Sequence, residues 1–203
     1  MLRSVRIVDD FLPAEIFAAQ KRDFASARWE KVRFRNLDYR GICSDKLSDP
    51  TAFFFARHGM QIRLRSQFFR IYEKDTAQNT FIHYDTVLAG YAAILSLAEN
   101  DRYNGHLAFW RHGQTGWEEV IQDDEVAVAL TEQDGMVEDR WELTELIELL
   151  PNRCIIFPTK RFHSRYPKIW QEPWPRKIKV YFFDLESNVQ LNPSSRTKEI
   201  GLT

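Results

Sequence analysis

The sequence changes character near residue 60, and this change most constrains the fold. Helix-like segments come before it, whereas most of the later chain consists of short strand-like runs. Seven runs, bounded by Gly, Asn, Asp or Pro, are QIRLRSQFFRIYEK, NTFIHYDT, GYAAILSLAE, HLAFWRH, EVAVAL, RCIIFPT and KIKVYFFDL. Strands and helices do not alternate, so a parallel βαβ sheet is not expected. We predict a mainly β fold with flanking helices, an antiparallel sandwich or jelly roll with helices packed on one sheet.

Three segments are predicted to be helical. After a short first strand in RSVRIVDDFL, a helix begins near Pro13, because proline suits the first helical turn. A second helix, in DPTAFFFARHG, ends near Gly59. A third is predicted in DRWELTELIELLPN from the helical spacing of its apolar residues. Those residues are Trp141, Leu143, Leu146, Ile147 and Leu150.

The length and composition favour one domain with a large core. A chain of 203 residues most simply forms a single domain over residues 1–203. Its 15 Phe, 7 Tyr and 6 Trp suit a sizeable packed interior. The segment from about residue 188 to 203 is expected to be a loose surface tail.

The charge of the chain argues against nucleic acid and anionic membranes as partners, and its uneven distribution leaves an anionic ligand as an open question. The net charge is -1, which gives no electrostatic case for nucleic acid or an anionic membrane. Between Gln114 and Glu148 there are twelve acidic residues and one basic residue. Between Arg153 and Lys179 there are eight basic residues and one acidic residue. Either these surfaces are solvated and partly neutralise each other, or the basic stretch surrounds a site for an anionic ligand.

The sequence carries no sign of export or membrane insertion. The N-terminal MLRSVRIVDDFL has no apolar core followed by a cleavage site, and no run approaches 18 uncharged apolar residues. Cys43 and Cys154 lie far apart without CxxC spacing, which is typical of free thiols in a reducing compartment. A single long-range disulfide is the alternative. We expect a soluble, cytoplasmic protein.

The pair His83 and Asp85 in TFIHYDTV is the first candidate for chemistry. One residue apart on a strand, the two side chains would share a face. A mononuclear non-haem Fe(II) site uses two imidazoles and one carboxylate on one side of the metal, and leaves the other side open for O2 and a co-substrate. His163, after the apolar run CIIFP, meets the need for a second imidazole. The pair alone is a weak signal, and a solvated strand edge is an equally good interpretation.

Several segments in order resemble the 2-oxoglutarate/Fe(II)-dependent oxygenases. The run FFRIYEKDTAQNTFIHYDT is similar to the approach to their H-x-D motif, and YAAILSLAENDRYNGHLAFW to the hairpin that follows. NRCIIFPTKRFHSRYP is similar to the segment that carries their second histidine, and PRKIKVYFFD to their last core strand. The resemblance extends over about residues 5 to 185.

This resemblance implies a prolyl-hydroxylase-like double-stranded β-helix, a jelly-roll barrel with its metal at the open end. It implies that His83, Asp85 and His163 are the catalytic residues and hold Fe(II), with 2-oxoglutarate as co-substrate and O2 as oxidant. The implied activity is a dioxygenase that hydroxylates a small-molecule or amino-acid substrate and releases succinate and CO2. Asp85 argues against a halogenase, in which that carboxylate is replaced so that chloride can bind.

The far carboxylate of 2-oxoglutarate needs a cation, and Arg176 is the candidate. A guanidinium matches a carboxylate with two hydrogen bonds and stays charged. Arg176 lies thirteen residues after His163 and shares a strand face with Ile178 and Val180. Lys179 is the second candidate, on the opposite face, so only one of the two can be right. The other interpretation of Arg176 is an arginine at the rim of the basic patch.

Three further residues leave alternatives open. Tyr72, on one strand face with Arg70 and Phe68, either hydrogen-bonds the co-substrate or lies in the core. Arg165 could face an anionic substrate, but a solvated arginine is favoured. His106 stands in NGH, where many relatives have two glycines, and is favoured as a core or edge residue over one that lines the substrate pocket.

Two rival functions and one insertion also stay open. The same three ligands could hold zinc or manganese in a cupin-like isomerase or hydrolase, and the fold could serve as a non-catalytic binding module. The acidic stretch 114–148 is longer than a hairpin connection needs. It could be a lid over the substrate entrance or a packing element.

Overall fold

The computed structural model describes residues 4–34, 37–43, 51–75, 80–100, 102–121 and 125–186. Its strands are β1 (Arg6–Val8), β2 (Glu30–Phe34), β3 (Leu37–Cys43), β4 (Ile62–Tyr72), β5 (Tyr91–Ser96), β6 (His106–His112), β7 (Trp141–Glu148), β8 (Cys154–Pro158), β9 (His163–Tyr166) and β10 (Arg176–Leu185). Its helices are α1 (Ala14–Ala25), α2 (Thr51–Arg57), α3 (Glu125–Asp134) and a short 3₁₀ helix, Glu138–Arg140. The expected tail lies outside the described residues.

The strands form two antiparallel sheets. The larger sheet has the order β1-β8-β5-β10-β4-β3-β2, and the smaller sheet has the order β7-β6-β9. All described strand pairs are antiparallel. The strands β2, β3 and β4 are consecutive neighbours, as are β6 and β7. The pairs β1-β8, β8-β5, β5-β10, β10-β4 and β6-β9 join strands that are distant in sequence, as in a jelly roll. The predicted mainly β, double-stranded β-helix fold is therefore confirmed.

Helices α1 and α2 cover the outer face of the larger sheet, as predicted. Aromatic side chains from the helices and their flanks form one buried cluster with alternate residues of the central strands. Its members include Phe11, Phe17, Phe24, Phe54, Phe55, Leu95, Ile156, Tyr181 and Phe183. The other residues of these strands face inward, because side chains alternate along a strand.

A second buried cluster lies between the two sheets. Strands β5, β8 and β10 of the larger sheet meet β6 and β7 of the smaller sheet there. The cluster contains Tyr72, Ala92, Ile94, Leu107, Phe109, Ile147, Leu149, Ile155, Phe157, Ile178, Val180 and Phe182. The inward faces of β4 and β10 are in register, with Tyr72 opposite Arg176 and Arg70 opposite Ile178. The expected grouping of Arg176 with Ile178 and of Tyr72 with Arg70 is therefore observed.

Two predicted elements have the wrong type. The segment WELTELIELL was predicted to be a helix, but Trp141–Glu148 is strand β7, paired antiparallel with β6. The segment EVAVAL was predicted to be a strand, but it opens helix α3. Short apolar runs fit both periods, and tertiary pairing decides between them. Strand β6 offers a free edge to β7, whereas Ala127 of α3 is buried against the smaller sheet.

The predicted strand NTFIHYDT is also absent from the described residues 80–87. Here the chain makes one isolated bridge, between His83 and His163, and is otherwise irregular. After the bridge the chain turns, with the Leu88 N–H donating to the Asp85 carbonyl at 3.0 Å. His83 and Asp85 are therefore not two residues of a regular strand face.

Cys43 and Cys154 are both buried free thiols, so the alternative of a disulfide between them does not occur. Among the described helices, none combines the length and apolar character needed to cross a lipid bilayer.

Candidate metal centre and its cavity

His83 and His163 are held side by side by their own backbones. The His83 N–H donates to the His163 carbonyl at 3.0 Å, and the His163 N–H donates to the His83 carbonyl at 2.9 Å. Each ring is also fixed by a backbone carbonyl: Nδ1 of His83 lies 2.9 Å from the Phe81 oxygen, and Nδ1 of His163 lies 2.8 Å from the Arg161 oxygen. A carbonyl only accepts, so each Nδ1 carries the proton and each Nε2 keeps its lone pair for a metal.

Asp85 completes a three-ligand cluster. Its N–H donates to the Thr159 carbonyl at 2.9 Å, which turns the carboxylate toward the imidazoles. Its Oδ2 lies 3.7 Å from Nε2 of His83 and 3.3 Å from Nε2 of His163. One ligand atom from each residue falls within 4.8 Å of the others. Two imidazoles and one carboxylate in this arrangement fit a divalent transition metal with open positions.

The electrostatics keep His83 and Asp85 in their metal-binding forms. Burial, partly opposed by the Asp85 carboxylate, lowers the pKa of His83 to about 4. Burial alone would raise the pKa of Asp85, but its neighbours His83, His163 and Arg70 together outweigh burial, and the pKa is lowered. At neutral pH the imidazole of His83 is therefore neutral and the carboxylate is ionised, which are the states that bind a metal.

The cluster opens into a cavity of about 350 Å³ between the sheets. This volume is in the range of small-molecule sites. The lining combines the three candidate metal ligands and three arginines with mostly apolar side chains. The lining comprises Val32, Ile42, Ser66, Phe68, Arg70, Tyr72, Thr80, His83, Asp85, Leu88, Ala92, Ile94, Leu107, Phe157, His163, Arg165, Arg176, Ile178, Val180 and Phe182.

Arg176 is the most buried cation of this cavity, with 1% of its surface exposed. One N–H donates to the His106 carbonyl at 3.0 Å, whereas Nε and the other terminal nitrogen have no partner within the described structure. Burial chiefly lowers the pKa of Arg176 to about 10, so the guanidinium stays charged at neutral pH. A buried charge with unsatisfied donors is costly unless a ligand supplies acceptors.

Gly105 allows the guanidinium of Arg176 to reach the start of β6. Its φ is +75°, and a Cβ there would lie 2.7 Å from the Tyr166 carbonyl oxygen and 3.3 Å from an Arg176 nitrogen. A side chain at this position would therefore press on the arginine. The need to avoid this collision explains the glycine at position 105 of the NGH sequence.

Tyr72 lies at the centre of three arginines. The guanidinium carbons of Arg70, Arg165 and Arg176 are 4.8, 5.6 and 5.5 Å from its ring centroid. Arg165, for which a solvated position was favoured, is partly buried and lines the cavity. Arg70 was missed as a site residue, although its place two residues before Tyr72 on the same strand face was a usable signal.

The acidic stretch 114–148 supports both segments that carry the histidines. In its described parts, the Gly135 carbonyl accepts from the Ile82 N–H at 2.9 Å, next to His83. The Glu118 carbonyl accepts from the Phe162 N–H at 3.0 Å, next to His163. These contacts favour the packing element over the lid.

The other histidines and Lys179 lie outside the cavity lining. His106 contacts the Tyr103 hydroxyl at 2.9 Å, His112 is buried against Asp134 at 3.1 Å, and His58 contacts the Phe11 carbonyl at 3.1 Å. Lys179 is fully buried on the helix-facing side of β10. It cannot reach the cavity, so the structure separates the two candidate cations as the strand period predicted.

Comparison with known proteins gives no match in sequence. No protein-family model matches the chain, and no curated protein is significantly similar to it.

Solved structures, in contrast, share the fold. AviO1 from Streptomyces viridochromogenes Tue57 is similar with a TM-score of 0.57 at 13% identity, over 89% of this chain and 89% of that one. The non-haem α-ketoglutarate-dependent epimerase SnoN from nogalamycin biosynthesis gives 0.56 at 13% identity, over 89% and 76%. HygX from Streptomyces hygroscopicus, with nickel and 2-oxoglutarate bound, gives 0.56 at 9% identity, over 89% and 82%. The chain thus has the double-stranded β-helix fold of 2-oxoglutarate/Fe(II)-dependent oxygenases.

Proposed function

We propose that this protein is a non-haem Fe(II)- and 2-oxoglutarate-dependent dioxygenase that hydroxylates a small molecule. The observation that carries the proposal is one cavity that contains both a His-Asp-His cluster and a buried arginine with unsatisfied donors. The His-Asp-His cluster suits a metal, and the arginine suits a carboxylate. An enzyme that uses 2-oxoglutarate needs a site for each.

The residues have separate roles in this proposal. His83 and His163 bind Fe(II) through Nε2, and Asp85 binds it through a carboxylate oxygen. Arg176 binds the far carboxylate of 2-oxoglutarate, and Tyr72, opposite it on β4, lies where its hydroxyl can support the same molecule. When bound, iron and 2-oxoglutarate supply the oxidising chemistry with O2, yielding succinate and CO2. The apolar walls exclude water from the reacting groups.

The size of the cavity and the structural neighbours support a small-molecule substrate. SnoN has been crystallised with nogalamycin RO, and HygX with hygromycin B. SnoN is described as an epimerase, so hydroxylation and epimerisation are the two outcomes that product analysis must separate. We propose hydroxylation, and a product that gains one oxygen atom is the expected result. An isomeric product of unchanged mass would identify an epimerase.

The rival assignments account for less of the site. A cupin-like isomerase or hydrolase with zinc or manganese needs the three ligands but gives no role to Arg176. A non-catalytic binding module gives no reason for both Nδ1 atoms to be fixed so that both Nε2 atoms face Asp85. The cost of a buried, incompletely satisfied guanidinium favours the assignment that supplies it with a carboxylate.

Anaerobic loading with Fe(II), followed by 2-oxoglutarate, tests the proposal. We expect a visible charge-transfer band that depends on 2-oxoglutarate, and succinate formation once air is admitted. Asp85→Ala and His83→Ala should abolish the band, and Arg176→Ala should raise the 2-oxoglutarate concentration needed for it. His58→Gln is the matched control, since His58 lies outside the cavity lining and contacts the Phe11 carbonyl. A native protein with neither band nor succinate would contradict the assignment.

A further inference from the structure

The described lining of the cavity carries more positive charge than binding of iron and 2-oxoglutarate would neutralise. Its lining contains Arg70, Arg165 and Arg176 but, among the described residues, only one carboxylate, Asp85. A divalent metal adds two positive charges, and the dianion 2-oxoglutarate removes two. Among the described lining residues, three guanidiniums exceed one carboxylate by two charges, and this excess remains in the loaded cavity. Confined charge of one sign favours a ligand of the opposite sign.

Two hydrogen bonds hold the Arg165 guanidinium in the cavity lining, where it can contact a second ligand. It lies on β9, two residues after His163, and its terminal nitrogens donate to the Thr80 carbonyl at 2.8 Å and the Lys168 carbonyl at 3.0 Å. Guanidinium carries five N–H donors, so these two bonds orient the group without exhausting it. The guanidinium carbons of Arg165 and Arg70 lie 5.6 and 4.8 Å from the Tyr72 ring centroid, so an anion bound to Arg165 at this ring would also be attracted by Arg70.

The rest of the cavity is suited to an apolar body. Apart from the arginines, the side chains that β4, β5 and β10 add to the lining are mostly apolar, and the segment after Asp85 adds Leu88. The apolar lining includes Phe68, Leu88, Ile94, Val180 and Phe182.

We propose that the primary substrate is a small organic oxyanion with an apolar body, and that its anionic group binds Arg165, with Arg70 adding positive charge. The body lies against the apolar walls. This inference rests on the proposed function, because it assigns Arg176 to 2-oxoglutarate. Carboxylates and phosphate monoesters share the geometry that a guanidinium recognises.

Binding to protein loaded with Ni²⁺ and saturated with 2-oxoglutarate tests the proposal without turnover. The probes are phenylacetate, phenyl phosphate and the neutral phenylacetamide, with hexanoate and hexanamide as an aliphatic pair. We expect at least one anion to bind about tenfold or more tightly than its amide, measured by calorimetry and thermal shift. The ratio of phenylacetate to phenyl phosphate affinity separates a carboxylate substrate from a phosphate ester.

Three variants locate the anion. Arg165→Gln should bring the anion-to-amide ratio close to one while 2-oxoglutarate affinity stays within about threefold, and Arg165→Lys should restore part of the preference. A merely structural role of Arg165 would weaken anion and amide alike. Arg63→Gln is the charge-matched control, since Arg63 is 62% exposed and outside the cavity lining. If Arg165→Gln is unstable, Arg70→Gln tests the same charge requirement.

Two results would overturn this inference and leave the proposed function intact. One is equal binding of anion and amide by the native protein, including no binding of either. The other is a loss of 2-oxoglutarate affinity in Arg165→Gln as large as that in Arg176→Gln, which would make Arg165 part of the co-substrate site. Absence of 2-oxoglutarate binding by the native protein is detected before any probe is added, and it would overturn the proposed function and this inference together.

Discussion

Strand β10 carries two fully buried cations three residues apart, Arg176 and Lys179, on opposite faces. The Lys179 ammonium faces the helix-covered core. It donates to Oε1 of Gln20 at 2.6 Å and lies 5.2 Å from the ring centroids of Phe69 and Tyr181. Arg176 faces the cavity, where two of its three nitrogens lack a partner within the described structure.

The comparison separates a structural buried charge from a ligand-binding one. Both side chains have lost their hydration, which is costly for any ion. For Lys179 the protein itself replaces part of that hydration with an amide oxygen and two aromatic faces. For Arg176 the replacement is incomplete, and an anionic ligand such as a carboxylate completes it.

The largest expected effect is that of Arg176→Gln on 2-oxoglutarate binding. Truncating one partner of a buried charge pair costs about 2–5 kcal/mol, so the dissociation constant should rise about 30-fold or more. The ligand-free protein should not lose stability, because a poorly satisfied buried charge is removed. Calorimetry on Ni²⁺-loaded protein and urea unfolding measure the two quantities. A loss of stability with unchanged co-substrate affinity would place Arg176 with Lys179 as a structural cation.

The second-largest effect is expected from Lys179→Met, which removes the structural cation and keeps the ligand-binding one. It should lower the free energy of unfolding by about 1–3 kcal/mol, because Oε1 of Gln20 is left buried without its donor. The affinity for 2-oxoglutarate should stay unchanged. The double variant Gln20→Leu/Lys179→Met removes both polar groups and should recover much of the loss. No recovery in the double variant, measured by urea unfolding, would show that Lys179 acts through contacts other than Gln20.

Gly105→Ala should weaken 2-oxoglutarate binding about tenfold, because its Cβ would lie 3.3 Å from an Arg176 nitrogen and 2.7 Å from the Tyr166 carbonyl oxygen. Gly59→Ala is the matched control. Gly59 has φ of +76° but no atom within 4 Å of the added Cβ, so its change isolates the backbone cost of about 1 kcal/mol. Equal effects of both variants on co-substrate affinity, measured by calorimetry, would remove the steric argument.

The smallest effect is expected from Tyr72→Phe. The variant keeps the ring among the three guanidiniums and removes only the hydroxyl. If the hydroxyl bonds the co-substrate, the 2-oxoglutarate dissociation constant should rise about threefold to tenfold, the value of one hydrogen bond. A calorimetric affinity equal to that of the native protein would assign Tyr72 to the core, the alternative that the sequence left open.

Part of the site could be predicted because it depends on local periodicity and chain order. The two-residue period of a strand placed Arg176 and Lys179 on opposite faces, and Tyr72 on one face with Arg70, before any pairing was known. The order H-x-D, distant histidine and arginine indicated three ligands and a cation. Their roles in binding metal and co-substrate stay predictions that the proposed experiments test.

Other parts could not be predicted because they depend on which neighbour is present. WELTELIELL has apolar residues at both helical and strand spacing, and its pairing with β6 made it a strand. EVAVAL alternates like a strand, yet it opens helix α3, in which Ala127 is buried against the smaller sheet. His83 and Asp85 needed no strand, because one backbone bridge to His163 and one bond to Thr159 fix them.

The sequence by itself determined a mainly β chain with early helices, the types of the candidate ligands and the face of each cation on β10. These follow from residue chemistry and from periods of two and 3.6 residues, which act over a few neighbours. Only the tertiary structure decided that Arg70 and Arg165 join Arg176 around Tyr72, and that the acidic stretch supports the histidines. Apart from that of Arg70 with Tyr72, those contacts join residues 44 to 104 positions apart, and the packing of two sheets creates them.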